Sequence, residues 1–267
     1  LSNVEVFPTF SRVVASDSQL GHAVAALLRH FGLRQFGTFS GTDEYERHLI
    51  KSCVDAAAND INPIVLADGA AQAEFDFMHA TEDLYSGDIE AAVTTRLRTV
   101  QRSSARVIVL GVVNRMNIGR TGRSAFDFVA TAARRLGMFG SDYVWILPDA
   151  QDNAAKHFPD FTLALRQYVN ISAPEFQRFQ HDTAKIIRST PEGAGKARAI
   201  DAAHVGIDNQ YPAYFYDAVQ LLAKALLSEL HDGAGHISNT TRIVGRIRAT
   251  TLERGATGAV VLDANGD

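Results

Sequence analysis

The chain has 267 residues, 46% of them hydrophobic and 21% charged, enough apolar material for a sizeable core and too much for a disordered polypeptide. Lysine and arginine number 26 against 30 aspartates and glutamates, a net charge of −4, which argues against a dedicated nucleic-acid binder. The single cysteine, Cys53, excludes a disulfide-built module and a zinc site of several thiolates. No apolar run approaches the roughly 20 residues that span a bilayer, and the opening LSNVEVFPTF lacks the basic and apolar regions of a signal peptide.

In chain order, residues 6–14 predict a strand with an early proline. Ser16 is placed as an N-cap, with Gln19 positioned to complete a capping box. Leu20, Ala23, Val24, Leu27, Leu28 and Phe31 then recur at helical spacing until Gly32 stops the helix. A strand is predicted over 35–40, then a helix over 43–59 with Tyr45, Leu49, Ile50, Cys53 and Ala57 on or near one face. Residues 63–67 predict a short apolar strand, and residues 68–86 a polar, irregular connection. A helix over 88–103 carries the stripe Ile89, Val93, Leu97 and Val100. Residues 106–113 form a continuous apolar run, as in a strand buried on both faces. A helix over 123–137 ending at Gly137 and a second buried strand over 143–147 follow. This alternation predicts an α/β fold with a parallel sheet covered on both sides.

The pattern changes after Pro148. Residues 149–160 read as a connection and 161–169 as a strand or a short helix. A helix is predicted over 174–188, with Phe176, Phe179, Thr183, Ile186 and Ile187 facing inward. Residues 189–210 are Gly/Ala-rich and take no assignment. The clearest helix of this half runs over 212–230 with Phe215, Ala218, Val219, Leu222, Leu226 and Leu230 as its apolar stripe, followed by a helix over 241–252 and a strand over 258–263. So few strands do not make a closed sheet, and an open edge invites pairing. The second half therefore reads as completing a lobe whose other part lies elsewhere.

Catalytic motifs are missing. There is no G-x-S-x-G elbow, no H-E-x-x-H and no strict G-x-G-x-x-G after a strand. Gly193-Ala194-Gly195-Lys196 lacks the Ser or Thr that a phosphate loop needs after its lysine. No catalytic residue, metal site or cofactor is assigned. His231 and His236 read as a solvated loop, and Cys53 as a small buried hydrophobe. Open α/β sheets bind ligands beyond the carboxyl ends of their strands. Those ends offer Asp43, Tyr45, Asp68, Asn114, Arg115, Arg120, Asp149 and Asp152. The set can hydrogen-bond and neutralise a polar ligand but holds no nucleophile–base pair, and each member is equally an ordinary polar loop residue. Two sequons, Asn170-Ile171-Ser172 and Asn239-Thr240-Thr241, would be glycosylated only in a secretory compartment.

Four segments carry a resemblance to a known family. FPTFSRVVASDSQLGHAVAALLRHFGL resembles the point where receptor ligand-binding regions enter their second lobe, with Leu33 in place of a tryptophan. SARVIVLGVV followed by LGMFGSDYVWI, then YPAYFYDAVQLLAKAL, then RGATGAVVLDANGD resemble later stretches of the same domain in the same order. The family comprises ligand-binding regions with a type I periplasmic-binding-protein fold, among them receptor guanylyl cyclases, metabotropic glutamate receptors, GABA-B receptors and bacterial amino-acid-binding proteins. The resemblance implies two doubly wound lobes, with lobe one incomplete at the N-terminus. Residues 1–148 would be lobe two with its hinge strand, and residues 149–267 the returning part of lobe one.

The implied function is ligand recognition on the extracellular side of the plasma membrane, without catalysis. A ligand bound between lobes favours a closed form, and the shift passes to a membrane-attached partner. DEYERHLIKSC and ATGAVVLDANGD resemble the receptor guanylyl cyclase and natriuretic-peptide-receptor branch most, and any cyclase domain would lie outside these residues. That branch pairs a cysteine near position 53 with one near the end of the 106–113 strand, where this chain has Leu110-Gly111-Val112. The alternatives are an amino-acid-binding domain of a class C G-protein-coupled receptor and a soluble transport-binding protein. Expected partners are a small-molecule or peptide ligand and a second copy, as a homodimer through lobe one. No nucleic acid is expected, and the membrane is met only through segments outside this chain. In the amino-acid-binding branch two acids hold the ligand's amine and an aromatic ring packs on it; the matching positions here are Asp17, Asp149 and Tyr45.

Overall fold

The structure is a computed structural model that describes residues 5, 8–14, 16–59, 62–67, 71–81, 86–115, 118, 121–149, 156–165, 169–189, 211–231, 240–263 and 266. Contacts divide the chain into two compact units, Ser16–Arg166 and Leu1–Ala15 with Gln167–Asp267. The unit Ser16–Arg166 takes in a last strand after Pro148, which adds to its sheet.

In the first unit, α1 (Asp17–His30) starts where Ser16 Oγ accepts the N–H of Gln19 at 3.3 Å, and it stops before Gly32 at φ +66°. Strand β1 (Gln35–Gly41) leads into α2 (Glu44–Ala58), then β2 (Val65–Leu66) and β3 (Gln72–Phe75). Helix α3 (Ser86–Arg102), β4 (Val107–Gly111), α4 (Ala125–Arg135), β5 (Val144–Leu147) and β6 (Leu163–Ala164) complete the unit. The strands pair in the order β2-β1-β4-β5-β6, with β3 also beside β1, and every pairing is parallel.

Strand periodicity sorts the core into two layers. Phe36, Val107, Val109 and Ile146 pack with Val24 and Leu28 of α1 and Ile50 and Cys53 of α2. Phe39, Ile108, Leu110, Trp145 and Leu147 pack on the other face with Ile89, Val93 and Leu97 of α3 and Phe126 and Val129 of α4. Each such aliphatic or phenyl side chain contributes roughly 1.5–3 kcal/mol on burial. Trp145 Nε1 donates to the carbonyl of Met138 at 2.8 Å, so the one tryptophan is buried without an orphaned donor. Helices α1 and α2 approach closely at Gly21, where any Cβ would collide with the carbonyl of Ser52.

The connection read over 68–86 contains β3 and a 3-10 turn, His79–Thr81. Ala71 and Ala73 are buried while Gln72 and Glu74 are exposed, a period of two that polar composition obscured.

The second unit holds α5 (Pro174–Ser189), α6 (Tyr211–His231), α7 (Thr240–Ala249) and an antiparallel hairpin of β7 (Leu252–Gly255) and β8 (Gly258–Val260). The helix predicted over 241–252 therefore ends early, and Leu252 opens β7. Residues 8–14 form no strand, contrary to expectation. They are held by scattered bonds instead of a ladder. Arg12 N donates to Gly266 O at 2.7 Å, and Arg248 donates to the carbonyls of Pro8 (3.0 Å) and Phe10 (2.9 Å).

Helix α6 turns a different face inward from the one its apolar stripe predicts. Phe215 is 72% exposed and Val219 66%, with Leu222 and Leu230 also exposed, while Ala213, Asp217, Leu221, Ala225 and Glu229 are buried. Two buried carboxylates set this rotation, since buried charge is tolerated only where it is paired and bonded. Asp217 accepts from Ala256 N (2.7 Å), Thr257 N (2.8 Å) and Thr257 Oγ1 (2.6 Å). Glu229 pairs with Arg242 and Arg246 of α7. In α5, Phe176 and Phe179 face inward as expected, but Ile186 is 65% exposed. Residues 190–210 and 232–239, which include Gly193–Lys196, His236 and Asn239, lie outside the described residues.

Candidate functional site

The strand order places a topological switch point between β1 and β4. The chain leaves β1 for α2 on one face of the sheet, and leaves β4 for α4 on the other. Outside the carboxyl ends of these two strands lies a shallow cleft with no enclosed space for a water molecule, lined by Tyr45, Glu46, Leu49, Val113 and Asp149 among others. This is the place where open α/β sheets bind ligands.

Its rim is built by the first turn of α2. Asp43 is the N-cap, and a complete capping box joins it to Glu46: Glu46 N donates to Asp43 Oδ1 at 2.9 Å, and Asp43 N to Glu46 Oε2 at 3.3 Å. Glu46 is 1% exposed, and its Oε1 accepts the N–H of Val113 at 2.8 Å, tying α2 to the exit of β4. The carboxylate fits because residue 41 is glycine; a Cβ there would occupy the place of Glu46 Oε2. Burial pushes the Glu46 carboxyl above its ordinary value of 4.5. The Asp43 charge adds to this, while the backbone bonds from Val113 and Asp43 and the Arg115 guanidinium oppose it. Arg115 forms an ion pair with Asp43, and Asn114 Oδ1 accepts the N–H of Phe126 at 3.2 Å at the start of α4.

Two of the three ligand-site residues predicted from sequence meet here. Tyr45 OH donates to Asp149 Oδ2 at 2.8 Å across 104 residues of chain. Asp17 is the first residue of α1, and its side chain lies outside the described residues. Of the remaining strand-end candidates, Asp43, Asn114 and Arg115 are engaged in the bonds just given, while Asp68, Arg120 and Asp152 lie outside the described residues. Glu46 is the residue that sequence reading passed over; its signal was the Asp43-x-x-Glu46 capping spacing. Cys53 is fully buried within the α1/α2 layer. Asn170 is exposed, and Asn239 lies outside the described residues. Among the described residues no three His, Cys, Asp or Glu side chains group as a metal site, and no helix is long and apolar enough to cross a membrane.

Chemically, the crevice offers the Asp149 carboxylate and the Tyr45 side chain, whose phenol bonds that carboxylate and whose ring is the aromatic surface, a pair that suits a cationic group. The whole chain, residues 1–267, matches the family described as the receptor family ligand binding region. It is 24% identical over 292 residues to gamma-aminobutyric acid type B receptor subunit 2 of Mus musculus, an alignment covering all of this chain and 28% of that receptor. It is 28% identical over 224 residues to glutamate receptor 3.4 of Arabidopsis thaliana, covering 82% of this chain and 20% of that protein. The chain thus spans less than a third of either relative, and neither is a guanylyl cyclase. A chain matched over its full length, with a parallel α/β sheet of the type I periplasmic-binding-protein kind, belongs to the receptor family ligand-binding regions, and this segment is not an enzyme.

Proposed function

We propose that the chain is the extracellular ligand-binding region of a membrane receptor, and that it binds a small amine whose ammonium group sits on Asp149 and Tyr45. The observation that carries this reading is the Tyr45–Asp149 hydrogen bond at the β1/β4 switch point. An ammonium bound there gains a charge-assisted bond to the carboxylate, and the phenol ring offers its face. The two relatives are named for gamma-aminobutyric acid and glutamate, both small molecules with one amine. These names favour the class C receptor alternative over the guanylyl cyclase branch, which is left with the resemblance of residues 43–53 and 256–267. In this reading Ser16–Arg166 corresponds to lobe two, and Gln167–Asp267 with the N-terminal residues to lobe one. Asp17, opening α1, supplies the second acid. One relative is named as a receptor subunit, which supports a chain that works as part of an assembly, here proposed as a homodimer through lobe one.

The test uses the full-length protein at the cell surface with gamma-aminobutyrate, L-glutamate and glycine as probes. Binding of one of them is expected. Asp149→Asn should weaken it by about 2–5 kcal/mol, the cost of breaking a buried charge pair. Tyr45→Phe keeps the ring and should cost about 1 kcal/mol. Unchanged affinity in both variants would remove the amine site and leave recognition of a peptide on the protein surface. Surface labelling of intact cells separates the receptor from a soluble transport-binding protein.

A further inference from the structure

We infer that Asn170 is an acceptor site for N-linked oligosaccharide; its use in the cell rests on the extracellular reading above. Asn170-Ile171-Ser172 supplies the asparagine, the hydroxyl two residues on and a non-proline residue between them. Geometry gives the second observation. Residues 170–172 are exposed in succession, between buried Val169 and the first turn of α5. The chain reverses there, with Ala173 N donating to Asn170 O at 3.0 Å. Ser172 N donates to Asn170 Oδ1 at 3.1 Å, an Asx turn that engages the side-chain oxygen and leaves Nδ2 outside that bond. A bulky, strongly hydrated substituent is compatible with a fold only where it stays in water, and this turn meets that condition.

The donor class is an oligosaccharide on a lipid pyrophosphate. Asn170 Nδ2 attacks the anomeric carbon of the first sugar, and the bond from that carbon to the pyrophosphate oxygen breaks. The lipid pyrophosphate leaves with the electron pair, and the amide gives up one N–H proton to the transferase. Nothing is oxidised or reduced.

The experiment produces the full 267-residue chain behind a cleavable secretion leader in a eukaryotic cell line, alongside the native protein. Each product is treated with peptide N-glycosidase in heavy-oxygen water, and the Asn170 peptide is read by mass spectrometry. Deamidation at Asn170 with one heavy oxygen is expected. Asn170→Gln and Ser172→Ala should each lose the mass of one glycan, and Ser172→Thr should keep it. An unmodified Asn170 on the secreted chain would overturn the inference. Where secretion fails, cell-free translation with microsomes gives the same readout: a modified Asn170 supports the inference and an unmodified one overturns it. A native protein absent from the cell surface, with the leader-directed chain glycosylated, would sink the receptor reading and leave the acceptor site standing.

Discussion

At the scale of single residues, Glu46 holds the site together. Its carboxylate accepts two backbone N–H groups that no other side chain is shown to meet, at the junction of β1, α2 and β4. Folding raises its pKa above 4.5, so the folded chain holds that proton more tightly than the unfolded one. The stability from this group is fully present below pH 4.5 and is lost as pH rises through the raised value. Glu46→Gln removes the titration and leaves one oxygen to serve two donors, an expected loss of about 1–3 kcal/mol. Urea unfolding of both proteins across a pH series checks this. The deficit of the variant should be largest below pH 4.5 and narrow as pH rises; a deficit that widens would contradict it. The places of Tyr45 and Asp149 at strand ends were legible in the sequence, and their mutual hydrogen bond follows from those places. Glu46 was not, because a glutamate inside a predicted helix reads as solvated. Only the glycine at position 41 and the proximity of Val113, 67 residues away, make it a buried strut.

Among the elements, α6 shows how buried charge overrides an apolar stripe. From sequence, Phe215, Val219 and Leu222 define the inward face. In the structure, Asp217 and Glu229 take it, because each has donors waiting on a neighbouring element. Asp217→Ala would strand the N–H groups of Ala256 and Thr257 and should cost about 1–3 kcal/mol, read as a lowered denaturation midpoint. Phe215→Gln with Val219→Gln touches side chains that are 72% and 66% exposed and should change stability by no more than about 0.5 kcal/mol each. The same pair should reduce self-association, measured by sedimentation, because an exposed apolar stripe drives it. Loss of stability in that variant would show the stripe to be core. The first unit was far more legible. Ile89, Val93, Leu97 and Val100 are all fully buried as their spacing requires, and α1 starts at the cap that Ser16 provides. Strand β3 escaped because its alternation rests on alanines, which carry little hydropathy.

For the whole molecule, the two units differ in how much they bury on their own. The first has a parallel sheet with both faces covered. The second has two small clusters, built around Phe176 with Phe179 and around Leu221 with Val260 and Leu262. Periodicity could read the first because much of its order is local: β1, β3 and β4 are each followed by a helix that packs on the sheet. The second brings residues 8–14 to Arg248 and Gly266, pairings that no short window contains. Residues 167–267 expressed alone should therefore expose apolar surface and associate, and a monodisperse monomer of that segment would contradict this. The central claim is that ligand occupies the β1/β4 crevice of the first unit. Hydrogen exchange of the full-length protein, with and without the probe that binds, tests it most directly. Slowed exchange is expected at residues 41–49 and 110–113, where the crevice lining and the Glu46 bonds lie. Unchanged exchange in both stretches, with protection appearing only in residues 167–267, would contradict it.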